Sequence, residues 1–80
     1  MNPRPIAVEP LDDYKLFITF QNDECKVFDA KPLLKWPMYE KLSNKVFFNM
    51  AKTDGMCVFW NDEIDIAEHG IWIDGEDVTV

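Results

Sequence analysis

Apolar and polar positions alternate most clearly in the first third of the chain, and there they predict strands. Residues 5–10, Pro-Ile-Ala-Val-Glu-Pro, read as a short strand whose terminal prolines stand where a missing ladder donor is tolerated. Asp12-Asp13 turns the chain. Residues 14–20, Tyr-Lys-Leu-Phe-Ile-Thr-Phe, are rich in the β-branched and aromatic side chains that suit a pleated, half-buried surface. Asn22-Asp23 supplies the next turn, because Asn and Asp tolerate the positive φ of a tight hairpin. Residues 24–29 return as a third strand. The expected product is an antiparallel β-meander.

The turn also sets an expected register. With Asn22 and Asp23 as the two loop residues, Phe20 faces Cys25, Ile18 faces Val27 and Phe17 faces Phe28. One sheet face then carries Tyr14, Leu16, Ile18, Phe20, Cys25 and Val27. The other carries Phe17 and Phe28, and Ile6 and Val8 join it. Both faces are largely apolar, and one small helix cannot cover both. Later strands or a second copy of the chain must do so, which favours a homodimer.

Further along, Asp29 to Leu34 reads as a turn or a one-turn helix capped by Asp29. Pro37 to Leu42 reads as a second short helix, with Pro37 in its first turn and Tyr39 and Leu42 on one face. Val46 to Met50 fits a helical turn or the start of a strand. Asp54-Gly55 is the strongest hairpin signal in the chain and is expected to pair roughly residues 49–52 with 57–60. Ile64 and Ile66 alternate with Asp65. Ile71-Trp72-Ile73 and Val78-Thr79-Val80 flank Asp74-Gly75 as a weak last hairpin would, and residues 67–80 are left open between helix and hairpin. The fold class is α+β: antiparallel hairpins with one or two short helices in a single small domain spanning residues 1–80.

Charge changes this picture by giving the molecule two unlike halves. All 8 basic residues lie in the first 52 positions, whereas residues 53–80 hold 8 acids and no base, within a net charge of −7. The acidic C-terminal segment indicates where a partner would touch and that the partner is basic. The same balance argues against direct nucleic-acid binding, which needs a basic face. Two cysteines are too few for a disulfide framework and too far apart for a structural zinc site. No apolar run suits an export signal or a membrane span, and free cysteines fit a reducing cytoplasm.

Candidate chemistry is sparse. His69 is the one histidine, with Asp65 and Glu68 nearby in sequence, but no nucleophile is spaced to meet it. Cys25 and Cys57 fall in strand interiors, where a thiol behaves as a small hydrophobe. Asp62, Glu63 and Asp65 could offer oxygens to a cation, but the central glycine and closing glutamate of a calcium loop are absent. A solvated acidic edge is the simpler reading, and acids there discourage edge-to-edge aggregation. Trp36, Trp60 and Trp72 each adjoin a turn or an acidic run, and a partly exposed Trp is a common interface anchor; Trp60 reads as core and Trp72 as the contact residue.

In order and spacing, several stretches resemble the family of small bacterial proteins known as domain of unknown function 2442. They are Val8-Glu9-Pro10-Leu11, Tyr14-Lys15-Leu16, Thr19-Phe20, Asn22-Asp23-Glu24, Val27-Phe28-Asp29, Pro32-Leu33-Leu34, Pro37-x-Tyr39-x-x-Leu42, Phe47, Trp60 and Asp65-Ile66. The resemblance implies a compact α+β domain on an antiparallel sheet and a non-catalytic module. Some relatives are fused to helix-turn-helix domains, and others sit beside a second small protein as toxin–antitoxin pairs do. It implies no catalytic residue and no cofactor. Asp23 stands where the family usually has Gly. After Ile66 the family continues into a helix, whereas this chain reads Ala67-Glu68-His69-Gly70-Ile71-Trp72.

The expectation is therefore a cytoplasmic protein-interaction module, antitoxin-like and not an enzyme, with no cofactor or metal. Its contact surface is Asp62, Glu63, Asp65 and Glu68, anchored by Ile71 and Trp72, and its partner is a basic protein. A small-molecule-sensing or regulatory domain is the alternative, with the second apolar sheet face as its pocket.

Overall fold

Strands β1 (Pro5–Leu11), β2 (Lys15–Phe20) and β3 (Cys25–Asp29) form the meander expected from the alternating pattern. The computed structural model describes residues 3–61 and 64–77, with Glu68 and Asp77 described by backbone alone. A short final strand, β7 (Glu76–Asp77), adds to the outer edge of β3, so the order across this sheet is β1-β2-β3-β7. The second sheet holds β4 (Lys52–Thr53), β5 (Cys57–Phe59) and β6 (Asp65–Ala67), all antiparallel.

The first hairpin corrects the expected register by one residue. Thr19 pairs with Cys25, Ile18 with Lys26, Phe17 with Val27 and Leu16 with Phe28. The loop has three residues, not two. Asp23 N–H donates to Phe20 O at 3.0 Å, Phe20 N–H donates to Glu24 O at 2.8 Å, and Asp23 stands at φ 67°. This is a type I turn followed by a left-handed bulge residue. Asp can take that conformation because its short polar side chain lowers the steric cost.

A one-residue slip flips side chains between faces. Phe28 joins Leu16, Ile18 and Phe20 in the core, while Cys25 and Val27 move to the outer face with Phe17, all three half-buried. Val8 pairs with Ile18 on the core side, and Ile6 falls at an irregularity in β1 and is exposed. Lys26 is carried inward with Ile18 and is the one buried charged residue among those described.

The β1–β2 connection is a tight 3-10 turn at Asp12–Tyr14 with two left-handed residues, Asp13 (φ 64°) and Tyr14 (φ 58°). For a bulky aromatic this is unfavourable by about 1–3 kcal/mol. The surroundings hold Tyr14 there. Its hydroxyl donates to Ser43 O, its ring meets Phe48 edge-on at 5.4 Å, and its carbonyl accepts Ala30 N–H at 2.9 Å.

The middle of the chain runs through 3-10 helices Lys31–Lys35 and Pro37–Ser43 into helix α1 (Lys45–Phe48). The ambiguity at Val46–Met50 resolves as helix because Asn44 caps it, its side-chain oxygen accepting from Val46 and Phe47 N–H. Asp29 accepts Lys31 N–H at 3.0 Å and so starts the first 3-10 helix from just before its N-cap, Ala30. The Asp54-Gly55 hairpin forms, with Gly55 at φ 90°, although pairing begins only at Lys52.

The weak hairpin at the C-terminus is replaced by helix α2 (Glu68–Asp74), and residues 78–80 of that expected hairpin lie outside the described residues. The reason lies in Ile71-Trp72-Ile73. A strand would put Ile71 and Ile73 on one face, whereas a helix puts Ile71 beside Trp72 and turns Ile73 away. The second arrangement matches the core, since Ile71 is fully buried, Trp72 half-buried and Ile73 61% exposed. Trp60 closes the core from the second sheet, its indole N–H donating to Phe48 O at 2.9 Å.

Candidate functional site

The acidic edge is built by the second sheet and the segment that follows it. Within the described residues, Asp54, Asp65, Asp74 and Glu76 are all exposed. Asp62 and Glu63 lie outside the described residues, and Glu68 is the first residue of α2. Asp65 sits on β6 opposite Phe59, and its carbonyl accepts the Tyr39 hydroxyl at 3.2 Å. That bond ties the 3-10 helix Pro37–Ser43 to the start of the acidic strand.

Of the two expected apolar anchors, Ile71 lies in the core and Trp72 is half-buried. Ile71 is fully buried, so it holds α2 to the core and offers a partner nothing. Trp72 meets Phe20 edge-on at 5.2 Å on one side, and Lys26 Nζ lies 4.2 Å from its ring centroid. Such a desolvated cation–π contact contributes on the order of 2 kcal/mol and gives Trp72 a structural duty. Adjacency to a turn and an acidic run marked Trp72 in the sequence, and that signal does not show which neighbours pack on its ring.

A different apolar surface is exposed. Trp36 is 54% and Met38 66% exposed at the junction of the two 3-10 helices. Beside them Pro37, Met38, Glu40, Lys41 and Ile64 line a groove of about 500 Å³. Tryptophan directly before the proline that opens a short helix was the signal available at Trp36. Nothing in sequence brings Ile64 to Met38.

Four charged groups elsewhere, Asp13, Asp29, Lys31 and Asp54, are locally satisfied. Lys31 bridges Asp13 at 2.9 Å and Asp29 at 3.1 Å. Asp54 accepts the N–H groups of Cys57 and Met56, and these hold its carboxyl below the usual range. Burial pushes the Cys57 thiol up, and the nearby Asp54 and Asp65 carboxylates push it further. A thiol so placed stays protonated at neutral pH and is a poor nucleophile. In a Cys25→Ser background, Cys57 is expected to react with Ellman's reagent at pH 7.5 several-fold more slowly than it does in urea. Equal rates in both states would show that burial and the two carboxylates do not protect it. Cys25 lies on the other sheet, half-buried beside Thr19, and His69 is exposed on α2. No cluster of His, Cys, Asp and Glu suited to a metal is present among the described residues. No helix among them is long and apolar enough to cross a membrane.

These elements define a small α+β domain: an antiparallel meander closed by a second small sheet, with short helices between. The chain belongs to the family described as protein of unknown function DUF2442, whose model matches residues 5–77. The match extends past Ile66, through α2 and β7. No curated protein and no solved structure matches the chain.

Proposed function

We propose that this domain is a non-catalytic protein-interaction module whose acidic C-terminal edge docks a basic partner, in the manner of an antitoxin covering a basic nucleic-acid-binding site. The observation that carries the reading is the separation of charge. Residues 53–80 hold 8 acids and no base, and those of them described on β6, α2 and β7 face solvent. A surface of one sign steers an oppositely charged partner and suppresses wrong ones.

The test is recovery of the tagged chain from its native host at low salt, with mass spectrometry of what accompanies it. A stoichiometric basic protein that elutes as salt rises is expected. Against that purified protein, neutralising Asp62, Glu63, Asp65 and Glu68 together is expected to weaken binding about 8- to 30-fold, at about 0.3–0.5 kcal/mol for each rim charge. Unchanged affinity in this variant would remove the electrostatic reading.

A further inference from the structure

We infer that the groove between the 3-10 helix Pro37–Ser43 and Ile64 seats an apolar side chain carried within a basic segment of the partner; this rests on the acidic-edge reading and supplies the anchor that Ile71 does not.

A 3-10 helix repeats every three residues, so residues three apart share a face. Tyr39 and Leu42 face inward: Leu42 is fully buried, and Tyr39 is half-buried with its hydroxyl on Asp65 O. Met38 and Lys41 share an outward face, with Pro37 and Glu40 beside them. The opposite wall is Ile64, which the second sheet fixes because its carbonyl accepts Trp60 N–H at 2.9 Å and its own N–H donates to Asn61 Oδ1 at 2.8 Å. The groove is thus held on both sides before any partner arrives. A preformed site avoids much of the ordering cost of binding. Methionine and proline line it, and methionine adapts its shape to an incoming side chain. An exposed Trp36 next to it is the residue type that most often carries interface energy.

Charge complementarity selects the occupant. Glu40 lines the groove, and exposed Asp65 follows Ile64 directly. Phosphate or an acidic peptide would meet these carboxylates. A basic segment would be drawn to them while its apolar side chain leaves water. Lys41 is the one base of the groove and makes no ion pair among the described residues. It separates the groove from a second concavity of about 300 Å³ lined by Lys41, Ser43, Asn44 and Phe47. A cation there turns the partner's basic residues toward the Asp65 end and gives the segment a direction.

The test is selection of random displayed peptides on the full chain, followed by synthesis of the enriched peptides and fluorescence anisotropy. Enriched peptides are expected to carry Lys or Arg around one bulky apolar residue. Met38→Ser should weaken them about tenfold, while Met56→Ser, as exposed but at the hairpin tip, should leave them unchanged. Basic peptides with no apolar residue, bound equally by Met38→Ser, would overturn the groove and leave the acidic edge standing. Peptides without positive charge, indifferent to salt and to neutralising Asp62, Glu63, Asp65 and Glu68, would overturn the acidic edge itself. A polythymidine oligonucleotide that competes for the site would also overturn it, and an absence of enrichment would count against both.

Discussion

Phe48→Ala is expected to cost about 3–5 kcal/mol, the range for deleting a buried aromatic. Phe48 is 1% exposed and joins three parts of the molecule. Tyr14 meets it edge-on at 5.4 Å from the β1–β2 turn, Trp60 packs at 6.0 Å from the second sheet, and its own carbonyl accepts the Trp60 indole N–H. Removing the ring leaves a cavity and frees Tyr14 from one of the contacts that hold its left-handed backbone. A domain of this length has a net stability of roughly 4–12 kcal/mol, so the variant is expected to sit at the edge of folding at 37 °C. Urea unfolding followed by tryptophan fluorescence should show a lower midpoint with the slope preserved. A loss under about 1 kcal/mol would mean that the core closes without this ring.

The second large effect is at Gly75, where a methyl group has no room. A Cβ there would stand 2.7 Å from Ile71 O, 3.1 Å from Lys26 Cβ and 3.2 Å from Lys26 Cδ. Gly75 has ordinary extended backbone, φ −72° and ψ 145°, so the objection is steric and not conformational. Fewer unfolded conformations would favour alanine by about 0.4–1 kcal/mol, and overpacking opposes it by about 1–3 kcal/mol. The clash wins because its nearest atom is backbone, fixed by the 2.9 Å bond from Gly75 N–H to Ile71 O. Gly75→Ala is therefore expected to destabilise by about 1–2 kcal/mol and to loosen β7 from β3. Amide exchange at Lys26 and Val27, the residues β7 pairs with, should speed up before exchange elsewhere in the sheet. Gly70→Ala is the control. Its added methyl would find nothing closer than 4.0 Å, so it should stabilise the helix by roughly 0.5–1 kcal/mol. Stabilisation by both substitutions would show that α2 and β7 are not clamped against Lys26.

The two effects bear on function through the same packing. The clamp at Gly75 and the Lys26–Trp72 contact hold α2 in place, and with it the C-terminal end of the acidic edge. The core around Phe48 and Trp60 holds the segment that leads to Ile64 and Asp65. Loss of binding in either variant would report displaced walls, which is why the groove is tested with exposed Met38.

Much of the fold was legible from local pattern. Alternation of apolar residues marked β1 to β3 within a residue or two of their ends, and Asp54-Gly55 marked the hairpin between β4 and β5. The spacing of Tyr39 and Leu42 marked the inward face of Pro37–Ser43. Trp60 read correctly as core. The acidic edge was legible as composition, because net charge along a chain needs no coordinates.

What the sequence by itself determined is the set of elements that local chemistry governs: strands by alternation, turns by Asp, Asn and Gly, and the sign of each half by its charges. Only the tertiary structure decided the rest, because each remaining choice depends on residues far apart in the chain. The left-handed conformation at Asp23 lengthened the hairpin loop by one residue, and that exchanged Cys25 and Val27 for Lys26 and Phe28 on the core face. The space beside Phe20 and Lys26 made residues 68–74 a helix, because only a helix lets Ile71 and Trp72 pack side by side. The hydrogen bond between Tyr39 and Asp65, 26 residues apart, brought Met38 and Ile64 to one groove at the acidic edge. Each of the three acts through proximity in space, which the order of residues does not show.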